Sequence, residues 1–399
     1  MFNIIILGLV SLLTDVSTEM VYPLIPIYLT AQLGATPAIV GIIEGIAESL
    51  ASLLKVFSGY WSDLAGRRKP LAIAGYSFST IGKVLLYFSG SWPMVLWGRI
   101  ADRFGKGIRT APRDALIAES GDSQSYGRSF GLHRAMDTLG AAIGVVLAYY
   151  FLVHYQGDYR RVFLYALVPA ALGVITLFFA RERRPLTKLV AGGNAAAAVK
   201  AARSRPNLNW RALDPRLKAF LVVVFIFTLG NSSNQFLLLR AKTLNFSDVD
   251  VILLYLTYNL VYSLASYPAG RLSDRIGRRA VLVTGFVFYG LVYLGFAITH
   301  QPMMMWVLFS AYGLYSAFTE GVEKALVADI APEEQRATLI GLHATLVGIG
   351  LLPASMLAGL LWDLLGAAAP FYFGSIMGLV AAAGMWIVLA VKPKSQGAQ

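Results

Sequence analysis

Cysteine is absent from this chain, and charged residues are scarce. The missing cysteine excludes disulfide bonds and thiolate metal sites. Histidine, with four residues, is also too rare to favour a histidine metal site, so we expect no metal and no cofactor. Charged residues make up 14% of the chain, whereas soluble domains carry about 25%. An ordinary soluble protein is therefore excluded.

Apolar residues dominate instead, at 57% of the chain. They occur in runs of about 20 residues, the length that an α-helix needs to cross a bilayer. Strands of a membrane barrel would alternate apolar and polar residues, so the pattern predicts an all-α membrane protein. Twelve membrane-spanning helices are expected, at approximately 3–30, 37–58, 70–90, 93–118, 128–153, 160–180, 218–241, 249–268, 280–299, 303–328, 337–362 and 368–391.

Lysine and arginine outnumber the acidic residues, which gives a formal net charge of +12. These cations concentrate in the 181–217 connection and after spans 2 and 8. The connections that alternate with these along the chain, and so lie on the other side of the membrane, mostly lack them. By the positive-inside rule, both termini and the 181–217 connection are expected in the cytoplasm, with the chain in the cytoplasmic (inner) membrane. The basicity then reflects topology in a lipid bilayer, and no nucleic-acid partner is expected. The first residues lack a basic n-region and a cleavage site, which predicts a retained span rather than a signal peptide.

One short sequence occurs twice, each time between two apolar runs. Duplication of this kind predicts two similar halves of six helices each. The expected organisation is an N-terminal bundle at 1–180, a basic cytoplasmic linker at 181–217, a C-terminal bundle at 218–391 and a cytoplasmic tail at 392–399. The first copy consists of Gly59, Asp63, Gly66, Arg67 and Arg68, and the second of Gly270, Asp274, Gly277, Arg278 and Arg279.

With these residues and twelve spans, the chain resembles the major facilitator superfamily over nearly its full length. The repeated sequence is similar to that family's signature for the loops between helices 2 and 3 and between helices 8 and 9. The resemblance implies a secondary transporter with two pseudo-symmetric six-helix bundles, in which the ten residues above form gating loops. The residues alone also allow a plainer interpretation, in which the charged turns only set topology.

Ionisable residues inside the spans indicate a site, because each costs about 2.5–3.5 kcal/mol at a helix centre and should face a partner or water. Span 1 carries Asp15 and Glu19 on one face. Acids and bases nearly balance through span 5, so mutual neutralisation that only holds this half together stays open. We prefer a functional interpretation, because apolar packing would cost less in lipid. Five cations of span 4 follow one another at steps of three or four: Arg99, Arg103, Lys106, Arg109 and Arg113.

Proton coupling requires carboxylates that can exchange a proton as their surroundings change. Carboxylates of spans 1 and 5 meet this requirement, and arginines of spans 4 and 5 can act as their counter-charges and line a substrate cavity. The predicted coupling residues are Asp15, Glu19 and Asp137, and the predicted counter-charges are Arg109, Arg113 and Arg134.

A second resemblance concerns span 4. Arg103-x2-Lys106-Gly107 is similar to the Arg-x2-Gln-Gly pattern on helix 4 of proton-coupled members of the family, with lysine in place of glutamine. The resemblance implies that Arg103 belongs to the proton-coupling region.

The second half carries uncharged polar residues where span 1 carries acids. We therefore expect it to supply hydrogen-bonding groups to a substrate held near the midplane. The predicted substrate-cavity residues of this half are Asn231, Asn234 and Gln235 in span 7, and Glu320 and Glu323 at the end of span 10. The histidines at the equivalent positions 133 and 343 are expected to pack or hydrogen bond rather than bind a metal.

These observations predict a monomeric, proton-coupled secondary transporter that moves a small molecule by alternating access. Export is preferred, because the resemblance is to small proton-coupled exporters. A proton symporter that imports a small organic anion is the alternative within transport, since the span 4 cations suit an anion. A non-transporting sensor or scaffold is the alternative of another class. No nucleophile, base and orienting group occur together, so we expect no enzyme.

Overall fold

The computed structural model describes residues 2–65, 68–120, 126–182, 213–331 and 336–388. All regular structure in these residues is helical, which confirms the prediction of an all-α fold with twelve helices. The helices are α1 Phe2–Val21, α2 Pro37–Ala65, α3 Lys69–Tyr87, α4 Trp92–Ser120, α5 Tyr126–His154, α6 Tyr159–Leu177, α7a Pro215–Gly230, α7b Gln235–Thr243, α8 Asp248–Ile276, α9 Arg278–Ile298, α10 Pro302–Ile330, α11 Arg336–Leu365 and α12 Ala369–Val388.

Within the described residues, eight helices are long and apolar enough to cross a membrane by length and composition. They are α1, α5, α6, the combined α7a and α7b, α8, α9, α11 and α12. The charged stripe lowers the apolar content of α4, although this helix extends over 29 residues. The chain is thus a multi-pass membrane protein.

Two of the helices are irregular, for different reasons. Beyond Val21, α1 continues as a 3₁₀ turn at Tyr22–Leu24, a short α-helical piece at Ile25–Ile27 and a π-helical turn at Tyr28–Gln32. Pro23 and Pro26 lack the N–H groups that a regular helix would use there. The two prolines therefore account for the irregular end of this helix.

The break in α7 contains no proline. It covers residues 231–234, Asn-Ser-Ser-Asn, whose side chains compete with the backbone for hydrogen bonds. The hydroxyl of Tyr289 donates to the carbonyl of Gly230 at 2.9 Å, so the last carbonyl of α7a keeps a partner. Within the break, the backbone amide of Asn231 donates to the carbonyl of Phe227 at 3.1 Å and that of Ser233 to the hydroxyl of Ser355 at 3.3 Å.

The chain divides into two compact units that do not follow the helix boundaries. One end of α2 belongs to the second unit, and the first residues of α8 belong to the first. Unit 1 consists of Met1–Thr36, Ile46–Leu208 and Ser247–Leu256, and unit 2 of Pro37–Gly45, Asn209–Phe246 and Thr257–Gln399.

Glycine allows the closest helix packing of unit 1, between α3 and α4. A Cβ atom built on Gly82 would lie 2.5 Å from the carbonyl oxygen of Gly98. A Cβ atom on Gly105 would lie 2.6 Å from the amide nitrogen of Ser79. Such distances leave no room for a side chain at these positions. Small residues commonly allow close helix packing in membrane proteins. The approach places the charged stripe of α4 directly against α3.

Aromatic side chains fill the interior of unit 2. Tyr289 and Tyr293 stack at 4.1 Å between ring centroids, and Phe227 packs edge-on against Tyr289 at 4.8 Å. Arg240 is also buried in this unit, and its guanidinium donates to the carbonyls of Phe296 and Thr299, at the end of α9, at 2.9 Å each. A cation at a helix C-terminus satisfies carbonyls that have no partner within the helix.

Candidate functional site

The charges of α4 form a buried ion-pair network with α2 and α3. Asp102 lies 3.4 Å from the ammonium of Lys83, 3.7 Å from the guanidinium of Arg99 and 3.9 Å from that of Arg103. Arg103 also pairs with Glu48 at 2.8 Å, and Arg99 reaches the same carboxylate at 4.0 Å. The side chain of Glu48 is 28% exposed, whereas the other four are nearly fully buried. We call these five side chains the charge network.

Asp15 and Glu19 lie on one face of α1, half-buried, outside this network. The phenol of Tyr255, in the first residues of α8, donates to Glu19 at 2.9 Å. Among the described residues, Asp15 has no hydrogen-bond or ion-pair partner, yet Arg109 and Asp137 act on it electrostatically. The structure thus brings together the predicted coupling carboxylates of spans 1 and 5 and part of the predicted counter-charges.

Arg109 and Arg113 are already engaged. The guanidinium of Arg109 donates to the hydroxyl of Ser79 at 2.7 Å and lies over the ring of Tyr76 at 4.4 Å. Arg113 forms an ion pair at 2.8 Å with Asp114, its neighbour in sequence. In this state Arg109 is directed at α3, and neither arginine has a carboxylate of α1 within ion-pair distance among the described residues.

Arg134 and Asp137 do not form the ion pair that their spacing of three allows. Asp137 lies 3.6 Å from the imidazole of His133 instead, and Arg134 is exposed. Residues at i+3 and i+4 lie on the same helix face, so spacing alone does not select the partner. The buried Nε2 atom of His133 has no partner among the described residues.

The predicted hydrogen-bonding residues of unit 2 cluster at the break in α7. The side-chain amide of Asn231 donates to the hydroxyl of Tyr315 at 3.4 Å, and the hydroxyl of Tyr312 donates to the side-chain oxygen of Asn234 at 2.8 Å. Both amide atoms of Gln235 are buried without a partner among the described residues. Buried amides usually have partners, so these atoms indicate a site for a water molecule or a polar ligand group.

The two acids of α10 lie in different surroundings. Glu320 is exposed and accepts from the hydroxyl of Tyr262 at 2.7 Å. Glu323 is buried and lies 3.2 Å from Nε2 of His343, whose ring stacks on Phe220.

The first predicted gating loop lies only partly in the described region. Gly66, Arg67 and the side chain of Asp63 are outside it. A Cβ atom on Gly59 would make an ordinary contact of 3.5 Å with Ala111, so close helix packing does not explain this glycine. The backbone amide of Arg68 donates to Glu182, so the first turn of α3 is held by the residues that follow α6.

The second predicted gating loop is described completely. Arg278, the first residue of α9, pairs with Asp274 at 2.7 Å and with Asp329 of α10 at 3.2 Å. Gly277 has a φ of 91°, a left-handed conformation that favours glycine and turns the chain from α8 into α9. At Gly270 a side chain would meet open space, so close packing does not explain this glycine. Arg279 lies over the ring of Trp386 at 4.2 Å.

Sequence reasoning missed three residues of this region. It assigned no role to Glu48, whose pairing depends on the meeting of α2 and α4, or to Tyr255, whose contact with Glu19 depends on the path of α8. It named Lys106 among the five cations of span 4 and as a departure from a pattern, but did not include it among the predicted site residues. Lys106 is half-buried with no hydrogen bond or ion pair among the described residues, although Asp15 and Glu48 act on it electrostatically.

Within the described ranges, no group of three or more histidine or acidic residues is placed to hold a metal ion. Among the described residues, the arrangement offers two acids and a lysine without an ion-pair partner in unit 1, and side-chain amide atoms without a hydrogen-bond partner in unit 2.

Comparison with known proteins identifies relatives over the whole chain. The family described as Major Facilitator Superfamily matches residues 7–239 and 219–399. The chain is 37% identical to an uncharacterized MFS-type transporter of Methanocaldococcus jannaschii, over 95% of this chain and 92% of that protein. It is 25% identical to the multidrug resistance protein MdtH of an Enterobacter species, over 83% of this chain and 79% of the relative. Its fold is similar to that of a D-xylose-proton symporter, with a TM-score of 0.75 and 16% identity, over 100% of this chain and 99% of that chain.

Proposed function

The chain belongs to the major facilitator superfamily, and on this premise we propose that it is a proton-coupled secondary active transporter for a small molecule. The protein acts in the cytoplasmic membrane as a monomer, with both termini in the cytoplasm. Its two bundles, 1–180 and 218–391, alternate the access of a central site. Family membership supports transport of a small molecule rather than catalysis.

The observation that carries the proton-coupling proposal is the state of two carboxylates on α1. Asp15 and Glu19 are half-buried, and neither forms an ion pair with a described residue. A carboxylate in this position is ionised or protonated according to the water and charges around it. Lys106 and Arg109 act electrostatically on Asp15, so a movement of α4 relative to α1 changes its proton affinity.

The substrate contacts proposed for unit 2 are uncharged or acidic. Asn231, Asn234 and Gln235 present amides at the break in α7, and two of them leave buried polar atoms without partners. In several transporter folds, discontinuous helices of this kind form part of the substrate-binding site. Glu320 and Glu323 add carboxylates from α10.

Export is the proposed direction. Relatives named multidrug resistance protein MdtH cover most of this chain, although at low identity. A panel of toxic compounds tests the direction, because cells that carry an exporter tolerate higher concentrations than cells without it. Loss of growth on a nutrient in cells without the protein would instead identify an importer.

A second candidate, proton symport of a small organic anion, is favoured by Lys106. The charge network contains three cations and two carboxylates and so carries one net positive charge. Lys106 adds a second positive charge, which Asp15 and Glu19 balance only while they are ionised. Protonation of the two acids leaves an excess of positive charge that an anion can neutralise, so that proton and anion bind together.

Flux measurements in proteoliposomes under an imposed pH difference test proton coupling. Asp15→Asn should abolish gradient-driven transport and leave gradient-free exchange of the same compound intact. Asp158→Asn is the matched control, because this acid is partly exposed at the start of α6, where asparagine also caps a helix. Unchanged gradient-driven uptake in Asp15→Asn would reject the assignment of Asp15 to proton coupling.

The anion-symport candidate has its own variant in the same assay. Lys106→Gln should selectively weaken transport of anions if symport is correct.

A further inference from the structure

Tyr22 follows the regular part of α1 and lies in the 3₁₀ turn Tyr22–Leu24. Its ring contacts two arginines of the charge network. The guanidinium carbon of Arg99 lies 5.7 Å from the ring centroid, and that of Arg103 lies 5.8 Å from it. A cation within about 6 Å of the centre of an aromatic ring is attracted to the ring. One side chain that follows α1 therefore holds two cations of α4, which are one helical turn apart.

The same ring also contacts the residue that binds Glu19. The rings of Tyr22 and Tyr255 are tilted by 40° with their centroids 5.6 Å apart, and the hydroxyl of Tyr255 donates to Glu19 at 2.9 Å. Glu19 precedes Tyr22 by three residues, which is about one helical turn. Tyr22 is thus in contact with the charge network and with the hydrogen-bond partner of Glu19.

Glu19 lies near cations but does not pair with them. The titratable groups that act on it most strongly come from three helices, namely Asp15 of α1, Arg103 and Lys106 of α4, and Tyr255 of α8. From α5, Gly144 packs against it, because a Cβ atom at Gly144 would lie 2.9 Å from the Cβ atom of Glu19. Among the described residues, no cation lies within ion-pair distance of Glu19, although Arg103 is close enough to act on it electrostatically.

A direct ion pair would change how Glu19 binds a proton. An arginine beside a carboxylate stabilises the ionised form and lowers the pH at which the carboxylate is protonated by about 1–3 units. Glu48 has such a partner, because Arg103 lies 2.8 Å from it. Glu19 has none among the described residues, and the ring of Tyr22 lies against the same arginine. We propose that Tyr22 is a positioning residue that keeps Glu19 apart from the charge network, so that Glu19 can exchange a proton.

This inference deepens the proposed function and rests on it, because it concerns how Glu19 acts as a coupling acid. An aliphatic side chain at position 22 would also separate Glu19 from the arginines, but it would not attract them. The ring of Tyr22 does both, so Arg99 and Arg103 stay in place when Glu19 gains or loses a proton. Proton exchange at Glu19 then leaves the ion pairs of the charge network intact.

Infrared titration of the full-length protein in nanodiscs tests the inference without any substrate. The C=O stretch of a protonated carboxyl that is missing in Glu19→Gln belongs to Glu19, and its loss as the pH rises gives the midpoint of proton release. In Tyr22→Ala this midpoint should fall by at least about one pH unit, because the carboxylate then reaches the arginines. Tyr22→Phe is the matched control, because it keeps the ring, and its midpoint should equal that of the unaltered protein.

Two further variants keep the test decisive. Tyr255→Phe removes a hydrogen bond that favours the ionised carboxylate, so the midpoint of Glu19 should rise, in the direction opposite to that of Tyr22→Ala. If Tyr22→Ala does not fold, Tyr22→Gln replaces the ring by a polar side chain of similar length that can bridge the carboxylate and a guanidinium. Its midpoint should fall as well.

Three results would overturn the inference. They are an unchanged midpoint in a folded Tyr22→Ala or Tyr22→Gln variant, an equal fall in Tyr22→Phe, and a Glu19 that stays ionised at every pH at which the protein is folded. None of these readouts depends on flux. A Glu19 that titrates as expected, in a protein that shows no proton-driven transport, would therefore reject the proposed function alone.

Discussion

Replacement of Asp102 by asparagine removes the central carboxylate of the charge network without changing its shape. Asp102 lies within 3.9 Å of Lys83, Arg99 and Arg103, and all four side chains are almost completely buried. Each contact represents about 4 kcal/mol of Coulomb attraction at an effective dielectric constant of about 20. Desolvation of the ions opposes this attraction, so the contacts do not add. The expected loss in unfolding free energy is about 3–5 kcal/mol, as for removal of one partner from a buried ion pair.

Equilibrium unfolding in mixed micelles, followed by tryptophan fluorescence, measures this loss. Asp274→Asn is the control, because Asp274 also pairs with an arginine but its side chain is 62% exposed. Exposed pairs contribute about 0–1 kcal/mol, so this variant should unfold almost like the unaltered protein. The double variant Lys83→Met/Asp102→Asn removes one charge of each sign and should recover more than half of the loss of the single variant.

The comparison separates a structural network from a functional one. A loss below about 1 kcal/mol in Asp102→Asn would mean that the acids and bases of α3 and α4 do not neutralise each other, and the ion-pair account would be wrong. Full recovery of both stability and transport in the double variant would assign these charges to packing. Recovery of stability without transport would place the network in the transport mechanism.

Three further predictions concern stability. Gly105→Ala should destabilise the protein by about 1–3 kcal/mol in the same unfolding assay, because the added methyl group overlaps the backbone of α3. Its control is Gly321→Ala, where the methyl group meets open space. This variant should stabilise the protein by less than about 1 kcal/mol. Arg240→Met should cost about 2–4 kcal/mol, since it leaves buried carbonyls at the end of α9 without a donor, and Arg240→Lys should restore part of this. Asp214→Ala removes the N-cap of α7a and should cost about 1 kcal/mol at pH 7. Burial opposes ionisation of Asp214, but hydrogen bonds from Arg216 outweigh it and lower its pKa, so this contribution should be constant at neutral pH and disappear as the pH falls through the depressed pKa.

The positions of the helices could be predicted from apolar runs, because a bilayer demands about 20 apolar residues per crossing. Their ends could not. The apolar run predicts that span 8 ends near 268, yet α8 continues to Ile276 through Pro268. Backbone groups freed by a proline inside a membrane helix can find other partners, so proline is a weaker stop signal there than in water.

Within the candidate site, the sequence shows which ionisable and polar residues lie inside the spans, but it does not show which of them pair. A spacing of three allows an ion pair between Arg134 and Asp137, but packing turns Asp137 toward His133 and leaves Arg134 exposed. The contact of Tyr255 with Glu19 joins residues more than 200 positions apart, and no local pattern carries such information. Partner choice is a tertiary property, so only the folded chain reveals it.

The division between paired and unpaired charges bears on the choice between export and anion symport. Carboxylates that already hold two or three cations, such as Asp102, cannot release them to a substrate without the loss calculated above. Among the described residues, Lys106, Asp15 and Glu19 form no ion pair, so a ligand or a proton that binds to them breaks no described ion pair. A cationic substrate would bind the ionised acids in competition with protons, which produces antiport, whereas an anionic substrate would bind Lys106 together with protons on the acids, which produces symport. The response of substrate affinity to acid therefore decides between the two functions: affinity that falls as the pH is lowered requires antiport, and affinity that rises requires symport.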